Sequence, residues 1–120
     1  MPAIALKTVL MFASALFLAG AKPLPAPDLE KGKKIYVATC QACHGEKGDG
    51  QTFVANVLNP PPRNFTSPAA KKELTLERMV RSVTRGRPGT AMMPWKDNLT
   101  AGEIRAAAAF IRREFMELRE

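Results

Sequence analysis

Both cysteines and the single histidine of this 120-residue chain lie within five consecutive positions, Cys40-Gln41-Ala42-Cys43-His44. Thiols three positions apart stand about one helical turn from each other, near enough to reach the two vinyl groups on one edge of a porphyrin and form thioether bonds. The imidazole that follows directly can take the iron from below. Cys-x-x-Cys-His is therefore the attachment pattern for a c-type haem. Iron held by histidine on one side and a methionine sulfur on the other suits the passing of electrons, not oxygen chemistry.

Three other uses of these side chains compete with that one. A thioredoxin-like redox pair belongs in a βαβ pattern, and nothing in this sequence alternates strand with helix. Structural zinc takes four Cys or His ligands, whereas the chain offers three, all within one turn. A plain Cys40–Cys43 disulfide is feasible in an oxidising compartment, but it gives His44 nothing to do.

The first residues bear on the compartment. Lys7 precedes an apolar run from Val9 to Ala19 that closes in Ala19-Gly20-Ala21, a small-x-small pattern suited to a signal peptidase. A dozen or so apolar residues fall short of the roughly 20 that span a bilayer. Residues 1–21 thus read as a secretory signal peptide, with a retained anchor as the alternative.

The remaining residues, 22–120, suffice for one small domain but build only a modest core unaided. A large buried cofactor would supply the missing apolar volume. With Lys7 removed, 17 of the 18 Lys and Arg stand against 11 Asp and Glu, a formal charge of +6. Nucleic-acid binding is disfavoured, because no Lys/Arg run is interleaved with aromatic residues. Basic charge on an exported chain fits steering toward an acidic docking face on a redox partner protein or toward a membrane surface. A generally solvated surface accounts for the same charge.

The elements that would position the motif are short. Residues 22–27, Lys-Pro-Leu-Pro-Ala-Pro, form an extended proline-rich lead-in, and residues 28–120 form the domain proper. Asp28 is a good N-cap for a helix beginning at Leu29, which runs into the Cys40–His44 turn with Gly32, Ile35 and Tyr36 on a packing face. Glycine inside a helix costs about 1 kcal/mol relative to alanine, so Gly32 implies a close crossing with another helix. Gly45-Glu-Lys-Gly48-Asp-Gly50 turns the chain away, and a short helical stretch is expected around Phe53–Leu58. Asn59-Pro60-Pro61-Pro62-Arg63-Asn64-Phe65 follows, stiff and poor in backbone donors. A ligating histidine normally gives its second ring N–H to an acceptor such as a free carbonyl, and this loop is the candidate source of one. A helix opening near Thr75 carries Leu76, Met79, Val80 and Val83 and ends at Gly86, with Met79 assigned to the core. A last helix opens on the capping box Thr100-x-x-Glu103 and places Ile104, Ala107, Ala108, Ile111 and Phe115 along one stripe. No repeat and no strand is expected.

Between the last two helices lies Gly86-Arg-Pro-Gly89-Thr90-Ala91-Met92-Met93-Pro94-Trp95. Thioether sulfur is a soft ligand for haem iron, and a loop rich in Gly and Pro can present it at a fixed height. Two adjacent methionines in a turn, in a chain that also has a histidine-bearing attachment site, point to ligation by Met92 or Met93.

Taken together, these motifs resemble the class I cytochromes c, small bacterial periplasmic members above all. The matching positions are Cys40, Cys43, His44, Gly45, Gly48, Gly50, Leu58 to Arg63, Phe65, Gly89 to Met92, Trp95, Leu99 and Thr100. The likeness covers nearly the whole of residues 22–120. It implies an all-α class I cytochrome c fold, with three to five helices around one haem c bound covalently through Cys40 and Cys43. It also implies His44 and Met92 as axial ligands of the iron, attachment of the haem outside the cytoplasm, and a periplasmic one-electron carrier that is not an enzyme. A haem c subunit of a larger membrane or periplasmic oxidoreductase is the alternative function, and a haem-based ligand sensor a more distant one. By the same resemblance, Gly32 and Tyr36 cross the C-terminal helix near Phe110, and Trp95 packs beside the haem with its N–H toward a propionate. Two positions depart from the pattern. Thr52-Phe53 stands where many relatives have Gly-Pro, and Met93 doubles the usual single methionine. Counting from Gly89 on one side and from Trp95 on the other requires no gap if Met92 is the ligand.

Overall fold

The structure is a computed structural model and describes residues 19–119. The signal-peptide reading of residues 1–21 therefore falls almost wholly outside the described residues.

Asp28 caps the first helix by accepting the amide of Lys31 at 3.0 Å. The helical run that follows has three parts: α1 (Leu29–Ile35), a π turn (Tyr36–Cys40) and α2 (Gln41–His44). The π turn is a difference from a plain helix entering the motif. Thr39 donates its hydroxyl back to the Ile35 carbonyl at 2.7 Å, an i−4 bond that competes with the regular ladder. One extra residue in the turn rotates everything after it by roughly 100° relative to an unbroken α-helix. A 3₁₀ turn (Val54–Val57) lies where a short helical stretch was expected.

Next comes α3 (Pro68–Glu73), which the apolar spacing did not announce. Ser67 caps it by accepting the Ala70 amide at 3.1 Å, and Pro68 opens it, the arrangement favoured at a helix start. Thr75 caps α4 (Leu76–Arg85), and Gly86 closes it at φ 68°. The Thr100–Glu103 capping box forms in both directions at the start of α5 (Ala101–Glu114). No strand occurs among the described residues, so the architecture is all-α, as expected.

The domain is organised by α5, against which both α1 and α4 pack. That double packing explains why α5 is buried over more than one stripe: Ala106 and Ala109 are as covered as Ala107, Ala108 and Ile111. Small side chains let the backbones close in. A Cβ added at Gly32 would stand 2.1 Å from the Ala106 carbonyl oxygen and 3.0 Å from Phe110 Cβ. Tyr36 then fills the angle of the crossing, with its ring centroid 5.6 Å from that of Phe110 and 5.1 Å from that of Phe115. Met79 joins the same core. At the corner between α3 and α4, the Arg112 guanidinium donates to the Leu74 carbonyl and ties this corner to α5.

Candidate haem site

The attachment turn sits at the end of a helix, where carbonyls lose their intrahelical partners. Three are met from elsewhere. The Cys43 carbonyl accepts the Thr52 hydroxyl at 3.2 Å, and the His44 carbonyl accepts the Gly50 amide at 2.7 Å. The Gly45 carbonyl accepts the buried Tyr36 hydroxyl at 2.6 Å. Gly45 makes this exit possible with φ at 92°, a backbone setting that glycine adopts without the Cβ penalty. Thr52 also accepts the Ala55 amide at 3.0 Å, which starts the 3₁₀ turn. Thr52, a departure from the resembled pattern, thus has a definite task here.

Cys40 and Cys43 are free, half-buried thiols at the ends of one turn. Burial pushes the Cys40 thiol up; the Thr39 hydroxyl 3.3 Å away works against that, while the nearby Cys43 adds to it. The Tyr36 phenol is raised well above its ordinary range, chiefly by burial.

The His44 ring is held on two sides. Nδ1 lies 3.1 Å from the Arg63 carbonyl oxygen, so that nitrogen carries the proton and donates it, leaving Nε2 with its lone pair. The ring also stacks on Phe65 at a centroid distance of 4.6 Å and an interplanar angle of 18°. Burial lowers the His44 pKa, with the Arg63 bond pulling the other way, and the neutral imidazole is the form that binds a metal. The acceptor therefore comes from the proline loop, not from Thr52-Phe53. That loop is pinned at two points: the Phe65 amide donates to the Gly48 carbonyl at 2.8 Å, and the Arg63 guanidinium meets the Glu73 carboxylate at 2.7 Å. Arg63 belongs to the loop expected to supply the acceptor, whereas Glu73 was not singled out, and the placement of α3 reveals their pairing.

The methionine loop is closed by its own hydrogen bonds. The Arg87 amide donates to the Met92 carbonyl at 2.9 Å, and the Met92 amide donates to the Thr90 hydroxyl at 3.1 Å. The Trp95 amide ties the far side of the loop to the Val83 carbonyl at the end of α4, at 2.9 Å. Met92 is half-buried, and Met93 is 49% exposed. No hydrogen bond among the described residues joins this loop to the Cys40–His44 turn, so the two halves of the candidate ligand set come from separate loops.

The donor set fits a c-type haem. Two unpaired thiols one turn apart suit two thioether bonds, and a neutral imidazole with Nδ1 committed and Nε2 unbonded suits an axial bond to iron. Structural zinc lacks its fourth ligand: no group of three or more His, Cys, Asp or Glu capable of holding a metal occurs among the described residues.

Comparison with known proteins agrees with this chemistry. The family model for cytochrome c oxidase, cbb3-type, subunit III matches residues 27–111. The cbb3-type cytochrome c oxidase subunit FixP of Azorhizobium caulinodans is 30% identical over 94 residues, which are 78% of this chain and 30% of that protein. The chain thus spans under a third of this relative's length. Among solved structures, the KustC0563 c-type cytochrome superposes with a TM-score of 0.60 at 29% identity, covering 68% of this chain and 94% of that one. Cytochrome c6 from the diatom Phaeodactylum tricornutum gives 0.59 at 24% identity over 75% of this chain and 97% of its own, a likeness of fold alone.

Proposed function

The chain belongs to the cbb3-type cytochrome c oxidase subunit III family, and on that premise we propose that it is an exported one-electron carrier in which Cys40 and Cys43 hold a single haem, with His44 and Met92 as its axial ligands. Haem c as cofactor and electron transfer as its task go with membership of this family and with its structural neighbours. When bound, the haem supplies an iron that takes up and gives back one electron.

The observation that carries the ligand assignment is the 3.1 Å bond from His44 Nδ1 to the Arg63 carbonyl. It fixes the tautomer, orients the ring and makes the imidazole a stronger donor. Stacking on Phe65 restrains rotation of the ring about its own axis. For the other ligand, Met92 has its amide and its carbonyl both engaged within the loop, and its side chain is the more covered of the two methionines. The exposure of Met93 also supports Met92. His44 and Met92 would both hold the iron with side chains of this chain, and such a ligand pair supports a carrier over an enzyme. Residues 1–21 act as the export signal, and the carrier works in the periplasm with redox partner proteins.

A second reading, the haem-bearing part of a larger oxidoreductase, is favoured by the surface beside the attachment turn. Phe53 is 91% and Val57 81% exposed, immediately after the Thr52 that holds the Cys43 carbonyl. Apolar side chains of this size in open water suit a partner that covers them. The oxidase-subunit relative points the same way.

The test begins with protein expressed together with a haem-attachment system. Acid extraction under denaturing conditions should leave the colour on the polypeptide, with a mass greater than that of the bare chain by one haem; colourless polypeptide of bare mass refutes the proposal. Met92→Ala should lose the methionine-to-iron absorption band and admit carbon monoxide to the reduced protein, while Met93→Ala keeps the band. The reverse pattern transfers the ligand role to Met93. A mature protein whose N-terminus is Met1 refutes cleavage after Ala21.

A further inference from the structure

The groove between α4 and α5 holds a concentration of arginine that electron transfer at the attachment turn does not use. It has a volume of about 300 Å³ and is lined by Glu77, Val80, Arg81, Thr84 and Arg85 of α4 and by Arg105 of α5. Val80 and Thr84 are half-buried and form the floor; Arg81 and Arg85 stand exposed on the rim. The ion pairs among the described residues are Lys31–Glu103, Arg63–Glu73 and Lys71–Glu117, so none of the three groove arginines has an acidic partner. Arg105 goes further: its Nε is shut off from solvent and meets no acceptor. A buried donor without an acceptor is a standing cost, and here it lies at the wall of an open groove in which three guanidinium groups face one carboxylate.

We propose that this groove docks an acidic, aliphatic-bearing segment of a partner protein, with carboxylates on Arg81, Arg85 and Arg105 and an apolar side chain over Val80 and the Thr84 methyl. Guanidinium groups match carboxylates in paired, parallel hydrogen bonds, and the buried Nε of Arg105 gains the acceptor it lacks. Glu77 to Arg85 covers about 12 Å of helix at 1.5 Å per residue. That length is too great for a single small anion and corresponds to three or four residues of extended chain at about 3.3 Å each. The one acidic lining residue, Glu77, lies in the first turn of α4 and gives the groove a polarity: the acidic end of the segment belongs at Arg85, away from Glu77.

Location sets what such docking can do. The opposite face of α4, carrying Leu76, Met79 and Val83, is buried, with Leu76 and Met79 in the core that also holds Tyr36. The Arg85 end of the groove runs through Gly86 into the methionine loop, where the Arg87 amide bonds the Met92 carbonyl, so a docked partner lies beside that loop.

The test uses the full-length haem-loaded protein and a blocked synthetic peptide, Glu-Leu-Glu-Asp-Leu-Glu, at physiological ionic strength. Amide shifts induced by the peptide should map to 77–85 and 105–112. Arg81→Gln with Arg105→Gln should weaken binding at least tenfold. Lys33→Gln with Lys34→Gln, which removes the same charge from α1, should weaken it less than twofold. Arg105→Lys should fall between, because it keeps the charge and loses the buried Nε. The visible spectrum and helical signal of each variant report whether the fold is kept, and the shift map of the unaltered protein stands without any variant. Equal weakening by the two double variants, shifts spread over the α1 lysines, or displacement of the peptide by inorganic phosphate or by a single-stranded oligonucleotide of equal charge would each overturn the proposal.

Discussion

Gly32→Ala isolates the contact on which the placement of the attachment helix depends. The new methyl would sit 2.1 Å from the Ala106 carbonyl oxygen and 2.6 Å from its carbonyl carbon. Both are backbone atoms of α5, so no side chain can swing away to make room. Restoring an ordinary contact requires α1 and α5 to part by roughly 1 Å, which loosens the packing of Tyr36 on Phe110 and Phe115. Overpacking of this kind costs about 1–3 kcal/mol and sits at the upper end where backbone must move; the gain in helix propensity returns about 1 kcal/mol. The net loss is about 2 kcal/mol, and a domain of this size loses roughly 4–8 °C per kcal/mol, so the melting temperature should fall by about 8–16 °C. Helical circular dichroism on covalently loaded protein is the assay, because a tethered haem stays on the unfolded chain. Gly102→Ala is the control. It lies exposed in the first turn of α5, where an added Cβ meets only Thr100 Oγ1 at 4.0 Å, and it should leave the melting temperature unchanged or raise it slightly. A Gly32→Ala variant that melts with or above the unaltered protein would refute the close-crossing argument.

Three further outcomes follow from the site. Tyr36→Phe removes the buried 2.6 Å bond to the Gly45 carbonyl and leaves that acceptor unmet, so urea unfolding should show a loss of about 1–3 kcal/mol; an unchanged midpoint contradicts the role given to the hydroxyl. Glu73 is held below the usual carboxylate range first by its hydrogen bond from Arg63 and then by the charge of Arg63. Its contribution is therefore present above the ordinary carboxylate pKa and lost as pH falls through the lowered value. Acid titration of stability should show a small component of this sign that is missing in Glu73→Gln, small because the pair is exposed. Cys40→Ser and Cys43→Ser should each still retain haem through one thioether, whereas the double variant should release it on acid extraction, as read by mass spectrometry.

How much of this was legible in the sequence depended on the range of the interaction concerned. Caps and local turns were written in neighbouring residues, and Asp28, Thr75 and the Thr100–Glu103 box all act where expected. Gly32 announced a crossing because only close approach offsets its cost in a helix. Short-range chemistry that does not repeat with a helical period was harder to see. The π turn follows from one back-bond by Thr39, and α3 has six residues with no apolar stripe, so its only signal was Ser67-Pro68. The His44 partner shows where sequence reasoning stops. Three prolines reduce the local donors and leave carbonyls over, which points to the loop, but the choice of Arg63 among its carbonyls is made by contacts from outside it. Gly48 anchors the loop at Phe65, Glu73 anchors it at Arg63, and α3 delivers Glu73. The candidate ligand histidine is thus aimed by an element that contributes no atom to the candidate ligand set, which is why the four chemistry-bearing residues could be named from their types and spacing while the groups that orient them required the fold.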